Sequence, residues 1–423
     1  MIYQSIQAVK SMNKATLQVD VAIIGAGPAG LAAATMLRQR GIDQVIVLDR
    51  EAQGGGIPRH CGHPPFGMRE FYRVLTGPQY AKRLVAQAIK AGVRVLTRHS
   101  VTRLLDRGEL EVATPDGLMT ILAKRVLIAT GVRETPRSAR LVTGARPLGI
   151  TTTGALQSMY YLKGLVPCKR PVVIGTELVA FSSIMTASSA GIEPVAMIES
   201  GPRITARHPC ELLPLFKGVP LLLNTELEKI LGIAKVEGVS VKDTRTGKSR
   251  VIECDGVIFT GGFTPEATLA RMSHLKVDPA SGGLQVNQFG RCSDPAYFAA
   301  GNILRAVETA GWSYREGRSV GRWIADDLQR AASPINDPGV ILKCEDPIKL
   351  VVPQRIVLGQ SGGFKHLQLR VSRPVTGELI VESDAKIIWH KKISTLPERR
   401  ILITIEELGY FTGKKALRIY FKE

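Results

Sequence analysis

Short apolar runs separated by glycine-rich turns recur along most of the chain, and apolar–polar alternation takes over towards its carboxy end. The run Val21-Ala22-Ile23-Ile24 is short, partly β-branched and flanked by charge, the pattern of a buried parallel strand. Gly25-Ala26-Gly27-Pro28-Ala29-Gly30 follows, then an Ala/Leu-rich helical segment to Arg40 and a second strand, Val45-Ile46-Val47-Leu48, ending in Asp49. Residues 50–66, REAQGGGIPRHCGHPPF, read as a loop because their glycines and prolines break regular structure. Tyr80, Leu84, Val85 and Ala88 fall on one face of a helix over 79–92, with a strand at 93–96. Runs at 101–105, 109–114 and 119–122, the last two joined by Pro115-Asp116-Gly117, predict a hairpin region. A further buried strand, 125–129, ends in Thr130-Gly131.

A second strand–turn–helix begins at Pro171 (PVVIGTELVA), with a strand near 194–199. VIECDGVIFTGG at 251–262 reads as the return to the first domain. Another strand and turn, Tyr297-Phe298-Ala299-Ala300-Gly301-Asn302, precedes a closing helix over about 317–331. Ser333 to Gly339 has linker composition. Beyond it, runs at 348–352, 366–371, 378–382, 386–390, 400–405 and 416–421 predict a small β-sandwich.

The glycine stretch adds chemistry to this pattern. Gly25 permits the tight turn, Gly27 lets the backbone approach a pyrophosphate, and Gly30 lets helix pack on strand. The helix start then presents N–H groups and partial positive charge to phosphates. Asp49 stands where such folds place the acid that binds ribose. Together these predict an adenine dinucleotide site.

Composition removes several classes. The 423 residues carry a net charge of +19, yet no stretch combines clustered Lys/Arg with aromatics, and aromatic content is 5%. No nucleic-acid partner is expected. An anionic substrate, an acidic partner protein or a membrane face suits the charge equally, and so does a basic solvated surface with no specific partner. No run is long and apolar enough to cross a bilayer, so membrane association is expected to be peripheral at most. The first 20 residues lack a secretory pattern, and the cytoplasm is the expected compartment. Six scattered cysteines without a CxxC pair argue against a disulfide framework, a zinc site or an iron–sulfur cluster within the chain.

The ordered set GAGPAG, LDRE, GGGIP, ATG and FAAGN resembles the FAD-dependent superfamily with two dinucleotide-binding domains. GGGIPRHCGH with LTGP beyond it resembles the flavoprotein subunits of opine oxidases, hydrogen cyanide synthase, hydroxyproline and proline dehydrogenases, and glycerol-3-phosphate dehydrogenase partners. The resemblance implies an α/β fold with two Rossmann-like domains, the FAD domain split by an inserted NAD(P)-type domain, plus a C-terminal all-β sandwich-like domain. The expected divisions are 18–150 and 251–332 for the FAD domain, 151–250 for the insert and 340–423 for the β-domain.

It further implies that Gly25, Gly27, Pro28, Ala29 and Gly30 hold the FAD pyrophosphate and Asp49, followed by Arg50, the ribose side. Gly55, Gly56 and Ile57 would run over the cofactor, Thr130 and Gly131 beneath it, and Gly301 and Asn302 beside the flavin. Asn302 replaces the family's usual aspartate. ATP or ADP, or a second flavin at a subunit interface, stays open as occupant.

Two departures shape the function. Only Cys61 lies on the loop, and dithiol exchange needs a second sulfur, which excludes a disulfide reductase. Glu177 replaces a glycine of the second fingerprint. Like charges about 4 Å apart cost about 1 kcal/mol in water and about 4 at an effective dielectric of 20, which disfavours NAD(P). Arg59, His60, Cys61 and His63 are the catalytic candidates: an arginine for a substrate carboxylate, a histidine to accept a proton, a lone thiol. No metal site is assigned. The expected function is the electron-transferring subunit of a heteromeric FAD-dependent dehydrogenase for a small amine, amino acid, opine or glycerol-3-phosphate-like substrate. Its expected partner is a second FAD-dependent dehydrogenase subunit, joined by a small iron–sulfur subunit where a cluster is used. The alternatives are a self-sufficient NAD(P)H-dependent flavin reductase and a non-catalytic adenine-nucleotide-binding scaffold subunit.

Overall fold

A computed structural model describes residues 15–330, 339–358, 360, 362–409 and 416–423. The expected linker lies outside them except for Gly339. Two compact units form, and they do not follow simple chain order. The first takes in the described residues of Met1–Gly56, Arg83–Gly131 and Pro265–Glu423; the second takes in Ile57–Lys82 and Val132–Thr264.

The first unit is built on a seven-stranded sheet. Strand Ala15–Ile24 sits at its middle, parallel to Val45–Asp49 on one side and to Gly117–Ile128 on the other. Parallel strands joined by helices are covered on both faces, which is why Val21, Ala22, Ile23 and Val47 are fully buried and read as a continuous apolar run. Gly117–Ile128 is one strand of 12 residues where the sequence predicts two. Its outer half pairs antiparallel with Glu109–Thr114, and its inner half pairs parallel with Tyr297–Ala299. Lys124 and Arg125, which look like a break, are tied off at Asp20 and Asp327, 2.8 and 2.6 Å away.

Helix Pro28–Gln39 packs on the closing helix Ala310–Gln329 through small residues. A Cβ on Gly317 would collide with the Ala29 backbone, and one on Gly321 with that of Ala33.

The carboxy-terminal strands form a five-stranded sheet and a three-stranded sheet with a core of their own, including Leu367, Leu369, Leu379 and Leu417. Leu350 and Val352 instead join the core of the large sheet. This β-region and the glycine-loop fold therefore make one unit.

The second unit holds a five-stranded parallel sheet and a four-stranded one. Strand Gly256–Phe259 lies inside the parallel sheet, between Pro171–Ile174 and the edge strand Ile150–Thr152. The expected return to the first domain at 251 is thus displaced: the chain re-enters the first unit at Pro265. Gly256, Val257 and Ile258 are buried on both faces, as an interior strand of a covered parallel sheet requires. No helix among the described residues is long and apolar enough to cross a membrane.

Candidate functional site

In the first unit, the chain leaves Ile24 and turns at Gly25, whose φ is +108° and whose N–H donates to Leu48 O at 2.8 Å. A Cβ there would press on Ala129 O, and one on Gly30 would collide with Gly25 O. Gly27 caps the helix that follows, with Pro28 at its first turn and no capping side chain. Nothing lies within 4 Å of the place a Gly27 Cβ would occupy. Open space therefore faces helix N–H groups that have no intrahelical partner.

Asp49 ends the second strand, and its carboxylate accepts from Ala26 N at 2.8 Å and Glu51 N at 2.9 Å. Each carboxylate oxygen keeps a lone pair for a further donor. Gly55 N donates to Ala26 O at 2.7 Å, and a Cβ on Gly56 would lie 2.8 Å from Gly27 Cα. The GGG loop is thus laid against the fingerprint loop. Arg50 is exposed. Thr130 Oγ donates to Glu266 O at 2.8 Å, and Gly131 O accepts from Glu266 N at 2.8 Å.

Gly301, with φ +83°, sits against Ala29 and Ser313. Its N–H donates to the Glu316 carboxylate at 3.0 Å. Asn302 is not free to act alone: its Oδ1 accepts from Glu308 N at 2.7 Å and its Nδ2 donates to Glu308 O at 3.1 Å. Amide chemistry explains the departure from aspartate, because a carboxylate cannot donate the second bond. Ser313 Oγ is buried beside Gly301 without a partner in the protein. An orphaned hydroxyl at one end of the cradle and open space at Gly27 at the other fit an elongated dinucleotide such as FAD.

In the second unit, Ile57–His60 is a single 3-10 turn that brings Ile57, Arg59, His60 and Cys61 together. Gly77 N donates to Cys61 O at 3.0 Å, and a side chain at Gly77 would collide with Pro58 and Cys61 carbonyls. His63 stands apart, with Nδ1 3.0 Å from Pro64 O and its ring 5.6 Å from Phe66. The Cys61 thiol lies 3.6 Å from Gln157 Oε1. Burial, aided by the Glu134 carboxylate, pushes it up to about 12, so it is a protonated thiol at neutral pH and no nucleophile.

Glu134 was not legible in the sequence. Its Oε2 accepts from Gly154 N at 2.6 Å at the start of helix Thr153–Lys163, while Oε1 is buried without a partner. Burial raises its pKa against the lowering bonds from Thr152 and Gly154. A Cβ on Gly154 would lie 3.0 Å from Glu134 Oε2 and 4.0 Å from the His60 ring, so acid and histidine converge on one helix start. Thr152 is that helix's N-cap, accepting from Ala155 N at 3.4 Å.

The second fingerprint of this unit departs from expectation. The Glu177 carboxylate turns back to the crevice at the carboxyl ends of strands Pro171–Ile174 and Gly256–Phe259, accepting from Thr260 Oγ at 2.7 Å. Arg140 donates to Thr260 O and Gly261 O at 2.9 and 2.6 Å and lies within electrostatic reach of Glu177. A cation therefore stands in the same crevice as the carboxylate expected to repel a phosphate. Glu199 also escaped the sequence reading. It stands just after strand Ala196–Ile198, much as Asp49 stands at the end of its own strand, and it accepts from Thr176 Oγ and, at 3.1 Å, from Gly201 N. The signal was present: an acid at the end of the second strand of a strand–glycine–helix repeat.

The model of the family described as pyridine nucleotide-disulphide oxidoreductase matches residues 19–317. Thioredoxin reductase of Treponema pallidum (strain Nichols) is 25% identical over 311 residues, 69% of this chain and 92% of that one. An opine oxidase subunit of Rhizobium meliloti (strain 1021) is 26% identical over 182 residues, 43% of this chain and 38% of that one. The crystal structure of T. acidophilum thioredoxin reductase aligns with a TM-score of 0.63 at 25% identity, covering 74% of this chain and 99% of that one. A family described by its pyridine nucleotide gives the expectation against NAD(P) no support.

Proposed function

The chain belongs to the pyridine nucleotide-disulphide oxidoreductase family and is an FAD-dependent oxidoreductase; from that premise we propose that it is the electron-transferring flavoprotein subunit of a heteromeric dehydrogenase. Its substrate class is a small amine, amino acid, opine or glycerol-3-phosphate-like molecule. The observation that carries this reading is the lone, buried Cys61 of the loop: a dithiol relay needs two sulfurs, so electrons leave by another route. A relative named as an opine oxidase subunit supports assembly with other chains, for which a second FAD-dependent subunit and an iron–sulfur subunit are the proposed partners.

When bound, FAD supplies the two-electron redox chemistry. Gly25, Gly27 and Gly30 place its pyrophosphate at the helix start, Asp49 takes the ribose, and Gly301 with Asn302 marks the flavin end. Arg59 holds a substrate carboxylate bidentately and His60 takes a proton. Purification from source, with mass spectrometry of released nucleotides and of accompanying chains, is expected to yield FAD and a second flavoprotein. A chain that purifies alone and is bleached by NADH or NADPH overturns the subunit reading.

That outcome would favour a self-sufficient NAD(P)H-dependent flavin reductase. The observation on its side is Glu199, fixed at Thr176 where a ribose-binding acid belongs. A colourless chain releasing ATP or ADP would instead make it a scaffold subunit.

A further inference from the structure

Behind Gly301 and Asn302 lies a network of charges that the proposed chemistry does not use, and it draws on two parts of the first unit. Arg305 is 1% exposed, its guanidinium 3.1 Å from Glu316 Oε1 and its Nε donating to Gln368 Oε1 at 3.0 Å. Glu308, whose backbone is paired with Asn302, has a side chain 7% exposed. Its carboxylate takes Arg370 at 3.2 Å on one oxygen and Arg400 on the other. Gln368 and Arg370 belong to strand His366–Val371 of the carboxy-terminal β-region, and Arg400 precedes its strand Ile401–Thr404. Arg370 also donates to Val307 O at 3.3 Å and to Glu398 O at 3.0 Å. The Arg400 guanidinium stacks 3.7 Å from the ring centre of Trp312, in the first turn of the closing helix.

We infer that the carboxy-terminal β-region positions the flavin end of the cofactor cradle, with Arg370 and Arg400 as positioning residues that hold the Gly301–Glu308 turn and the start of the closing helix. This rests on the FAD reading above. The physical reason is the geometry of the turn. Glu308 closes it through Asn302, and a carboxylate this buried keeps one position only while its cations stay in place. Both exposed-side cations, Arg370 and Arg400, come from the β-region. Arg305 alone reaches Glu308 only at 3.9 Å, with its main bonds spent on Glu316 and Gln368. Loss of either β-region arginine therefore leaves the turn free to shift, although neither residue reaches Gly301 itself.

The test uses the full chain reconstituted with FAD. R400M and R370M are compared with R400K and R370K and with R373M, a β-region arginine paired instead with Glu423 and Asp346. Flavin affinity by fluorescence quenching, the visible absorption of bound flavin, its midpoint potential and the thermal midpoint are measured on each. R400M and R370M are expected to weaken FAD binding between about 2-fold and about 30-fold and to shift the flavin band and potential. The lysine variants restore part of both, and R373M changes neither. Methionine variants that unfold at lower temperature yet bind FAD with wild-type affinity, spectrum and potential overturn the inference and leave the FAD reading standing. A wild-type chain that takes up no FAD overturns the FAD reading, and this inference falls with it.

Discussion

A side chain placed at Gly27 would start into open space, since nothing lies within 4 Å of its Cβ and the residue's φ of −84° suits any side chain. Gly27→Glu is therefore expected to fold and melt as the wild type does while retaining no nucleotide. Circular dichroism with mass spectrometry of the released cofactor checks both halves. Gly30 gives the contrast, because any side chain there collides with Gly25 O and the protein itself fails. Glu134 carries a pH signature. Its folded carboxyl has a raised pKa, so the stability it contributes is present below the ordinary carboxylate range and is lost as pH rises through the folded value. Glu134→Gln keeps the oxygen that accepts from Gly154 N–H but cannot ionise. Thermal midpoints across that range are expected to fall for the wild type relative to the variant, and parallel curves would refute the assignment. At this scale the glycines and Asp49 were legible because backbone geometry demands them. Glu134 and Ser313 are not legible, since a fold that brings distant segments together is what buries them, whereas Glu199 carries a strand-end signal in the sequence.

Strands and helices obeyed the hydrophobic pattern where a single rule governs them. Helix Gly77–Lys90 and the strands around it fall close to the predicted bounds, because one face is apolar and the other wet. The pattern failed at Gly117–Ile128, where one strand changes from antiparallel to parallel neighbours and its charged middle is paired off to the side. It also could not show that Gly317 and Gly321 are spaced one helical turn apart so as to sit on Ala29 and Ala33. Glycine inside a helix normally costs about 1 kcal/mol relative to alanine. Here the sign reverses. Gly317→Ala drives a methyl into the Ala29 backbone and is expected to destabilise the first unit by about 1–3 kcal/mol, as overpacked cores do. Urea titration followed by tryptophan fluorescence measures it, and a stabilised variant would contradict the close approach.

At the scale of the whole molecule, the sequence revealed two nucleotide-type folds and a β-rich tail but misplaced their borders. Residues near 57–82 and 251–264 carry the motifs and composition of one domain yet pack in the other unit, because sheet pairing rather than sequence order decides membership. The tail, read as a separate sandwich, shares Leu350 and Val352 with the large sheet's core and Gln354 with Val286, whose N–H donates to its Oε1 at 3.0 Å. Calorimetry is accordingly expected to show two unfolding transitions and no third one for the β-region. An early, separate transition that leaves the rest folded would contradict a shared core. One detail of that region bears on how the protein is made. Strand Leu417–Lys422 follows every one of its partners in the chain yet lies between Val340–Cys344 and Val375–Ser383 in the five-stranded sheet. Until it has been synthesised, the two flanking strands have a gap where their shared neighbour belongs. A chain without it would thus have the sheet opened through its middle rather than trimmed at its rim, and this part of the molecule can set only once that strand is present.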